Sequence, residues 1–346
     1  FDERHWVPAF AGKTIVLKEQ IMKLLRDFAA FATAILWSLL VSGPVNGQSY
    51  PSKPVHVVVP FTAGSATDIL ARTFGQKLSE LWGQPVIVDN RPGAGRTIGA
   101  AVVAKSPADG YTLMVHSAAH AYNSSIYTDL SFDTAKDFVE VVPLAGQPNV
   151  LVVAPTVGVK SVAELIALAK QKPGQLNFGS AGTGSGTHIN AEKFKLAAGI
   201  DVLHIPYKGT PEALTDTMAG RVTYFFSPIS AALPNVREGK LLALGVSTAK
   251  RSAALPNVPT IAESGLSGFD YNLWVGVFAP AGTPPDIVDK INKDVARLLQ
   301  STDVKERFAN LGAEPMPMTP AEFRNFVRAE IDESAKVIKA AGIKAQ

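Results

Sequence analysis

Cysteine is absent from the 346 residues of this sequence. That absence excludes disulfides, thiolate metal sites, cysteine nucleophiles and a lipid-modified cysteine behind a leader segment. Charge of either sign is also scarce: 18% of the residues are charged, and 33 basic against 30 acidic side chains leave a formal net charge of +3. No run of basic residues forms a stripe, so we expect no nucleic-acid partner.

Long apolar runs are missing as well, apart from a stretch near the N-terminus. Met22 is followed by Lys23 and Arg26, and an apolar run then extends from Phe28 to Val41. The run is shorter than the roughly 20 residues that a membrane-spanning helix needs. A basic segment, an apolar segment of this length and small residues before Gln48 are typical of a cleavable secretory signal peptide.

The signal pattern predicts that residues 1–47 are removed and that the remainder is exported to the periplasm. Residues 1–21 lie upstream of a complete signal, so we expect Met22 to be the true start and the upstream extension to lie outside the fold. A retained N-terminal anchor is the alternative.

Hydrophobic residues make up 47% of the sequence, enough for a large core. The sequence also contains two similar α/β units. Residues 55–115 and 176–226 each show the order strand, glycine-rich loop, helix, strand, glycine turn, helix, strand. This alternation predicts parallel sheets with helices on both faces. Loops at the carboxyl ends of the first strands suggest two lobes that face a cleft.

Each glycine-rich loop leads into a predicted helix. Residues 61–65 precede a helix over 66–82, where Ser65 and Asp68 form an S-x-x-D capping pattern. Residues 179–186 precede a helix over 187–197. Further helix starts are predicted with Thr210, Thr283 and Thr319 as N-caps, each followed by a proline.

Such loops place unpaired backbone N–H groups at the start of a helix, where the helix dipole adds partial positive charge. An anion is the matching ligand. Tight turns favour glycine in any case, so one loop would be weak support; two at matching points of a repeat favour a shared ligand. Nearby hydroxyls are expected to supplement the backbone, namely those of Thr62, Ser65, Ser180, Thr183, Ser185 and Thr187.

Enzyme classes find little support in the sequence. The spacing of Gly182, Gly184 and Thr187 resembles a dinucleotide fingerprint, but the next strand runs into Lys208 without the required acid. The serine-hydrolase motif G-x-S-x-G and the HExxH motif are missing. We therefore expect no catalysis and no cofactor, with a secreted Rossmann-like enzyme as the alternative from another class.

The sequence allows two roles for each of three side chains. Asp68 either caps its helix or contacts an amine or hydroxyl of a ligand. His116 and His120 either lie buried near the crossover between lobes or contact the ligand. No carboxylate or third histidine stands at a suitable spacing, so we expect no metal site.

Several longer motifs resemble one known family. They are Tyr50-Pro51-Ser52-Lys53-Pro54 through Phe61, Asn90-Arg91-Pro92-Gly93-Ala94-Gly95, Asp109-Gly110-Tyr111-Thr112-Leu113, the loop 179–185 and Pro206-Tyr207-Lys208-Gly209. The sequence from residue 48 onward is similar to the substrate-binding receptors of tripartite tricarboxylate transporters, the Bug family of periplasmic solute receptors.

This resemblance implies an α/β fold of the type II periplasmic binding protein class. Two lobes, each with a mostly parallel sheet flanked by helices, close on a ligand cleft; we expect lobe 1 to comprise 48–121 and 248–346, and lobe 2 to comprise 122–247. The implied partner is a small organic carboxylate, which a monomeric receptor delivers to the transporter's membrane subunits. An extracytoplasmic sensor for a histidine kinase is the alternative within the same fold.

Transferred to this numbering, the family pattern and the loops together predict one set of ligand-binding residues. The strand after Arg221 ends in Ser227, where many family members carry an aspartate, which weakens the case for an amino-acid ligand. The predicted ligand-binding residues are Phe61, Thr62, Ala63, Gly64, Ser65, Asp68, Ser117, His120, Ser180, Gly182, Thr183, Gly184, Ser185, Tyr207 and Ser227.

Overall fold

A computed structural model of the protein describes residues 50–343, together with residues 18, 21–29 and 31. The chain divides into two compact units, Phe1–Ser49 and Tyr50–Gln346. In the first unit, residues 21–29 are helical with exposed side chains. Most of the predicted apolar run and the cleavage point lie outside the described residues, so the signal peptide stays a prediction. None of the described helices is long and apolar enough to cross a membrane.

The first α/β unit has the predicted order. Strand β1 (Val55–Val59) leads into helix α1 (Ala66–Trp82), and β2 (Val86–Asn90), helix α2 (Thr97–Ala104) and β3 (Thr112–Ser117) follow. Strand β1 pairs in parallel with both β2 and β3. The glycine-rich loop after β1 therefore opens at the carboxyl edge of this part of the sheet.

Three elements lie between the first and the second α/β unit along the chain. They are helix α3 (Ala119–Ile126), strand β4 (Phe138–Val153) and helix α4 (Val162–Gln171). The 16-residue strand β4 is buried along almost its whole length. It was not predicted, because Pro143 and Pro148 within it are residues that ordinarily interrupt a strand.

The second α/β unit repeats the order of the first. It comprises β5 (Asn177–Ser180), α5 (Gly186–Ala198), β6 (Leu203–Pro206), α6 (Thr210–Met218) and β7 (Tyr224–Pro228). Strand β5 pairs in parallel with β6 and β7. The parallel pairings predicted inside each unit are thus present.

After the second α/β unit the chain pairs again with the strands of the first through β9 (Asn272–Pro280), and it ends in helices. The elements of this last part are α7 (Ile229–Arg237), β8 (Leu242–Val246), β9, α8 (Pro285–Gln300), α9 (Thr302–Asn310), β10 (Glu314–Pro315) and α10 (Pro320–Ala340). The predicted N-cap Thr319 is confirmed, and it forms a capping box with Glu322. Two other predicted caps are wrong by one residue: Gly209 precedes α6, and Pro284 precedes α8, while Thr283 bonds back to the carbonyl of Pro280.

The strands of both α/β units belong to one mixed sheet, ten-stranded within the described residues. Eight strands follow the order β2-β1-β3-β9-β4-β7-β5-β6, and β8 and β10 each pair with β4 outside that order. Strand β4 pairs antiparallel with β9 through its first half and with β7 and β8 through its second. Because this strand continues through both halves of the sheet, the pairings do not define a lobe boundary. The division at 121/122 and 247/248 stays a prediction.

The apolar core lies on both sides of that continuous strand. One large cluster around Trp274, Phe278 and Phe323 includes buried apolar side chains of the first α/β unit. A second cluster around Phe178 and Phe194 packs between α5 and the second part of the sheet. Helix α1 packs against the first cluster through Leu70 and Phe74, and α5 packs against the second through Ala191 and Phe194.

Candidate anion-binding site

The two glycine-rich loops end in the same local structure. Residues 64–68 read Gly-Ser-Ala-Thr-Asp and residues 184–188 read Gly-Ser-Gly-Thr-His. In both, the serine is the N-cap and its Oγ accepts from the amide three residues later, at 3.3 Å for Ser65 and 3.2 Å for Ser185. In both, the serine amide donates to the carbonyl three residues earlier. We call the two stretches 61–68 and 181–188 loop 1 and loop 2.

The loops differ at the third residue of the helix that follows them. In loop 1 the Asp68 carboxylate accepts from the Gly64 amide at 2.8 Å, and it also contacts Arg72 and Asn90. In loop 2 the His188 imidazole takes the same place, and its Nδ1 accepts from the Gly184 amide at 3.1 Å. Each glycine amide is therefore held by a side chain four residues on.

The His188 ring is neutral. Burial, with the positive charge of neighbouring groups, lowers its pKa to about 2, and burial lowers the pKa of His204 to about 4. The two rings stack with centroids 3.9 Å apart. Because Nδ1 accepts a hydrogen bond, the proton lies on Nε2, and the 3.8 Å approach of that nitrogen to Glu192 is not an ion pair.

The starts of α1 and α5 line one small cavity of about 20 Å³, enough for one water-sized group. The amides of Ala66, Thr67, Gly186 and Thr187 have no hydrogen-bond partner in the described part of the chain. As the first two donors of their helices, they point beyond the helix ends. The full lining is Phe61, Ser65, Ala66, Thr67, Ser117, Ala181, Ser185, Gly186, Thr187, Thr210, Pro228 and Leu273.

A larger cleft of about 740 Å³ adjoins the small cavity and shares Ala181 with it. Its volume lies in the range of small-molecule sites. Residues 92–97 form one wall, and parts of loop 2 and the turn around Tyr207 form the facing wall. The small cavity with its free amides and the larger cleft are therefore neighbours.

Seven of the predicted residues line these spaces. Phe61, Ser65, Ser117 and Ser185 line the small cavity, and Gly182, Thr183 and Tyr207 line the cleft. The others line neither space: Thr62, Ala63, Gly64, Asp68, His120, Ser180, Gly184 and Ser227.

Several of that second group make contacts within the protein instead. Ser180 accepts from the Gly182 amide, and its Oγ lies 2.6 Å from Nε2 of His204. Ser227 donates to the carbonyl of Pro228. His120 lies buried between Phe138 and Phe278, and burial lowers its pKa to about 3. Direct ligand contacts for all the predicted residues stay predictions.

The sequence reasoning missed two features of the site. Thr67 and Gly186 line the cavity, and the shared Gly-Ser-x-Thr pattern was the signal that could have found them. Arg96 was also missed; it has φ 79° and is buried at 4% exposure. It donates to the carbonyls of Ala181 at 3.1 Å and Thr183 at 2.5 Å.

Comparison with known proteins decides the family. Residues 70–343 match the model of the tripartite tricarboxylate transporter family receptor. The chain belongs to this family. As a tripartite tricarboxylate transporter receptor it is a periplasmic solute-binding protein, and the predicted family and two-lobed periplasmic binding fold are confirmed.

Relatives of this receptor include Protein BugT of Bordetella pertussis, 38% identical over 306 residues that cover 88% of this chain and 94% of BugT. The structure of R. palustris Rpa4515 with adipate is 41% identical, with a TM-score of 0.83, and covers 85% of this chain and 99% of that one. MatC from Rhodopseudomonas palustris with bound malate is 33% identical, with a TM-score of 0.79, covering 84% and 100%.

Proposed function

We propose that the receptor binds a small organic carboxylate through the free amides of loops 1 and 2 and delivers it to the membrane subunits of its transporter. The observation that carries the proposal is the meeting of two helix starts at one cavity, with four amide donors that lack partners among the described residues. Hydrogen bonds to a charged group contribute about 1.5–3 kcal/mol each. After the free-energy cost of closing the lobes is subtracted, four such bonds give a binding free energy of about −8 kcal/mol, which corresponds to a roughly micromolar Kd.

The chemistry of the relatives supports an acid as the ligand. Structures of similar chains contain adipate in one case and malate in another. Both molecules are small carboxylates, the class that unpaired amides and two helix dipoles favour. The acid bound by this chain belongs, in our proposal, to the same chemical class.

The receptor acts by binding, and we propose no catalysed reaction. Ser180 and His204 form a serine–histidine contact, the one pairing near the loops that resembles a catalytic arrangement among the described residues. Ser180 is fully buried, lines neither cavity, and accepts from the Gly182 amide. No acid contacts the His204 ring in the described part of the chain, so nothing orients that ring as a base.

Calorimetric titration and thermal-shift measurements of the purified protein with mono-, di- and tricarboxylates test the proposal. We expect at least one acid to bind with a Kd in the micromolar range and to raise the melting temperature. The amide or ester of that acid should bind at least about 100-fold more weakly, because it lacks the charge that the helix starts stabilise. Equal binding of acid and amide would contradict the proposal. The receptor is expected to remain a monomer throughout.

A further inference from the structure

Arg96 is a buried cation without an acidic partner. This residue is only 4% exposed to solvent, and no carboxylate lies within ion-pair distance of it among the described residues. Its two terminal nitrogens donate to main-chain carbonyls, and its Nε has no partner. Burial lowers its pKa to about 10, so the guanidinium still carries its charge at neutral pH. A buried charge that is not balanced by an opposite charge is costly.

The guanidinium lies where the two cavities meet. Arg96 lines the large cleft, and its guanidinium carbon sits 5.6 Å from the ring centroid of Phe61, which lines the small cavity. Ala181, whose carbonyl accepts from Arg96, lines both spaces. The other charged residues of the cleft wall, Asp129 and Lys208, are exposed and of opposite sign.

The charges around the site exceed what one carboxylate would balance. Each helix start contributes about half an elementary charge, so the starts of α1 and α5 together match a single carboxylate. Arg96 adds a full positive charge beside them. We propose that Arg96 binds the second carboxylate of a dicarboxylate whose first carboxylate places one oxygen in the small cavity, against the free amides. This inference rests on the proposed function and specifies its substrate class as dianionic acids.

The backbone conformation at Arg96 suits a glycine variant. Its φ of 79° is a region that glycine adopts readily and arginine rarely. Arg96→Gly therefore removes the charge and relieves the local backbone. Arg96→Gln removes the charge and keeps most of the side chain, and Arg96→Lys keeps the charge but loses the planar, two-pronged donor.

The experiment compares acids of equal length: adipate with hexanoate, and succinate with butyrate, titrated calorimetrically into the wild type and the variants. We expect the wild type to bind the better diacid at least about tenfold more tightly than its monoacid, since a charge-assisted pair adds to the binding. Arg96→Gly and Arg96→Gln should lose about 30-fold or more for the diacid and less than about threefold for the monoacid. Arg96→Lys should retain part of the preference.

Arg91→Gln is the matched control, because Arg91 is exposed, pairs with Asp89 and lies outside both cavities. It should leave the diacid preference unchanged. A parallel loss for diacid and monoacid in the Arg96 variants would mean that Arg96 only shapes loop 2, and would overturn the inference. Equal affinity of the wild type for both acids would overturn it too. If monoacids and diacids both fail to bind the wild type, the proposed function fails together with it.

Discussion

Loops 1 and 2 have the same backbone and different chemistry behind it. Both present a serine N-cap and two free amides to one cavity, and both fix the preceding glycine amide with a side chain four residues on. That side chain is a carboxylate in loop 1 and a neutral imidazole in loop 2. The shared part is therefore the main-chain arrangement that meets an anion, whereas the supporting side chain is interchangeable as long as it accepts a hydrogen bond.

The difference between Asp68 in loop 1 and His188 in loop 2 determines which side of the site carries net positive charge. In loop 1 the charge of Asp68 is met by Arg72, whose guanidinium is half exposed, so this side contributes little net charge. In loop 2 His188 is neutral, and the buried Arg96 has no carboxylate partner among the described residues. The positive charge of the site is thus concentrated on the loop 2 side of the cleft.

The largest expected effect breaks the shared backbone. Gly182 has φ 104°, and a Cβ there would lie 2.9 Å from the carbonyl oxygen of Tyr207; Gly64 has φ 77° with more space around it. Gly182→Val should weaken acid binding by at least about 100-fold and Gly64→Val by somewhat less, because both displace the free amides. Calorimetric titration measures both.

Gly268→Val is the control for that pair. Gly268 has φ 76°, is exposed, and has no atom within 4 Å of a built Cβ, so the variant carries the same backbone strain away from the loops. It should lose stability without losing affinity. Unchanged binding in both Gly64→Val and Gly182→Val would show that the site lies elsewhere.

A smaller effect comes from giving loop 2 the side chain of loop 1. His188→Asp keeps an acceptor for the Gly184 amide but adds a buried negative charge that no equivalent of Arg72 neutralises. We expect acid affinity to fall about 10- to 100-fold, because that charge repels the ligand and competes for Arg96. His188→Asn keeps the acceptor without the charge and should lose much less. Equal Kd values for the two variants would refute the electrostatic difference between the loops.

The smallest effect is the pH dependence of stability that the imidazole adds to loop 2. The folded pKa of His188, about 2, lies below the unfolded value of about 6.5, so on acidification the unfolded state takes up the proton first. The contribution of His188 is complete above pH 6.5 and falls as the pH drops, by about 1.4 kcal/mol per pH unit. Urea unfolding between pH 7.5 and 5 measures the slope.

His188→Asn should show a shallower slope than the wild type over the same pH range. Other groups around the ring, namely His204, Glu192, Lys195 and Arg96, are common to both proteins, so the difference between the slopes isolates His188. The buried Glu192, whose pKa is raised by burial, acts in the opposite direction in each. Identical slopes would mean that His188 does not resist protonation.

Local patterns predicted the parts of the fold that local chemistry controls. Ser65 was expected to cap α1, and the capping contact is present because a serine before an apolar-periodic run supplies the acceptor that the helix start needs. Strand β4 could not be predicted in this way. Its prolines and Gly146 argue against a strand, and only pairing with β7, β8 and β9 makes the segment extended.

The candidate site shows the same division. Loops 1 and 2 were predicted as anion-binding turns, since repeated glycine and serine at helix starts carry that meaning wherever they occur. Asp68 kept two interpretations until its contacts with Gly64, Arg72 and Asn90 were known. Arg96 carried no signal, because its acceptors lie 85 and 87 residues away along the chain.

The sequence by itself determined the two α/β units, the anion-binding character of their loops and the family to which the chain belongs. These follow from short-range rules of capping, turn formation and strand alternation. Only the tertiary structure decided that both loops meet at one cavity and that a buried arginine, with no acidic partner in the part of the chain that the structure describes, stands beside them. Such placement depends on long-range pairing and burial, which set the electrostatic environment of a side chain and leave no trace in its immediate neighbours.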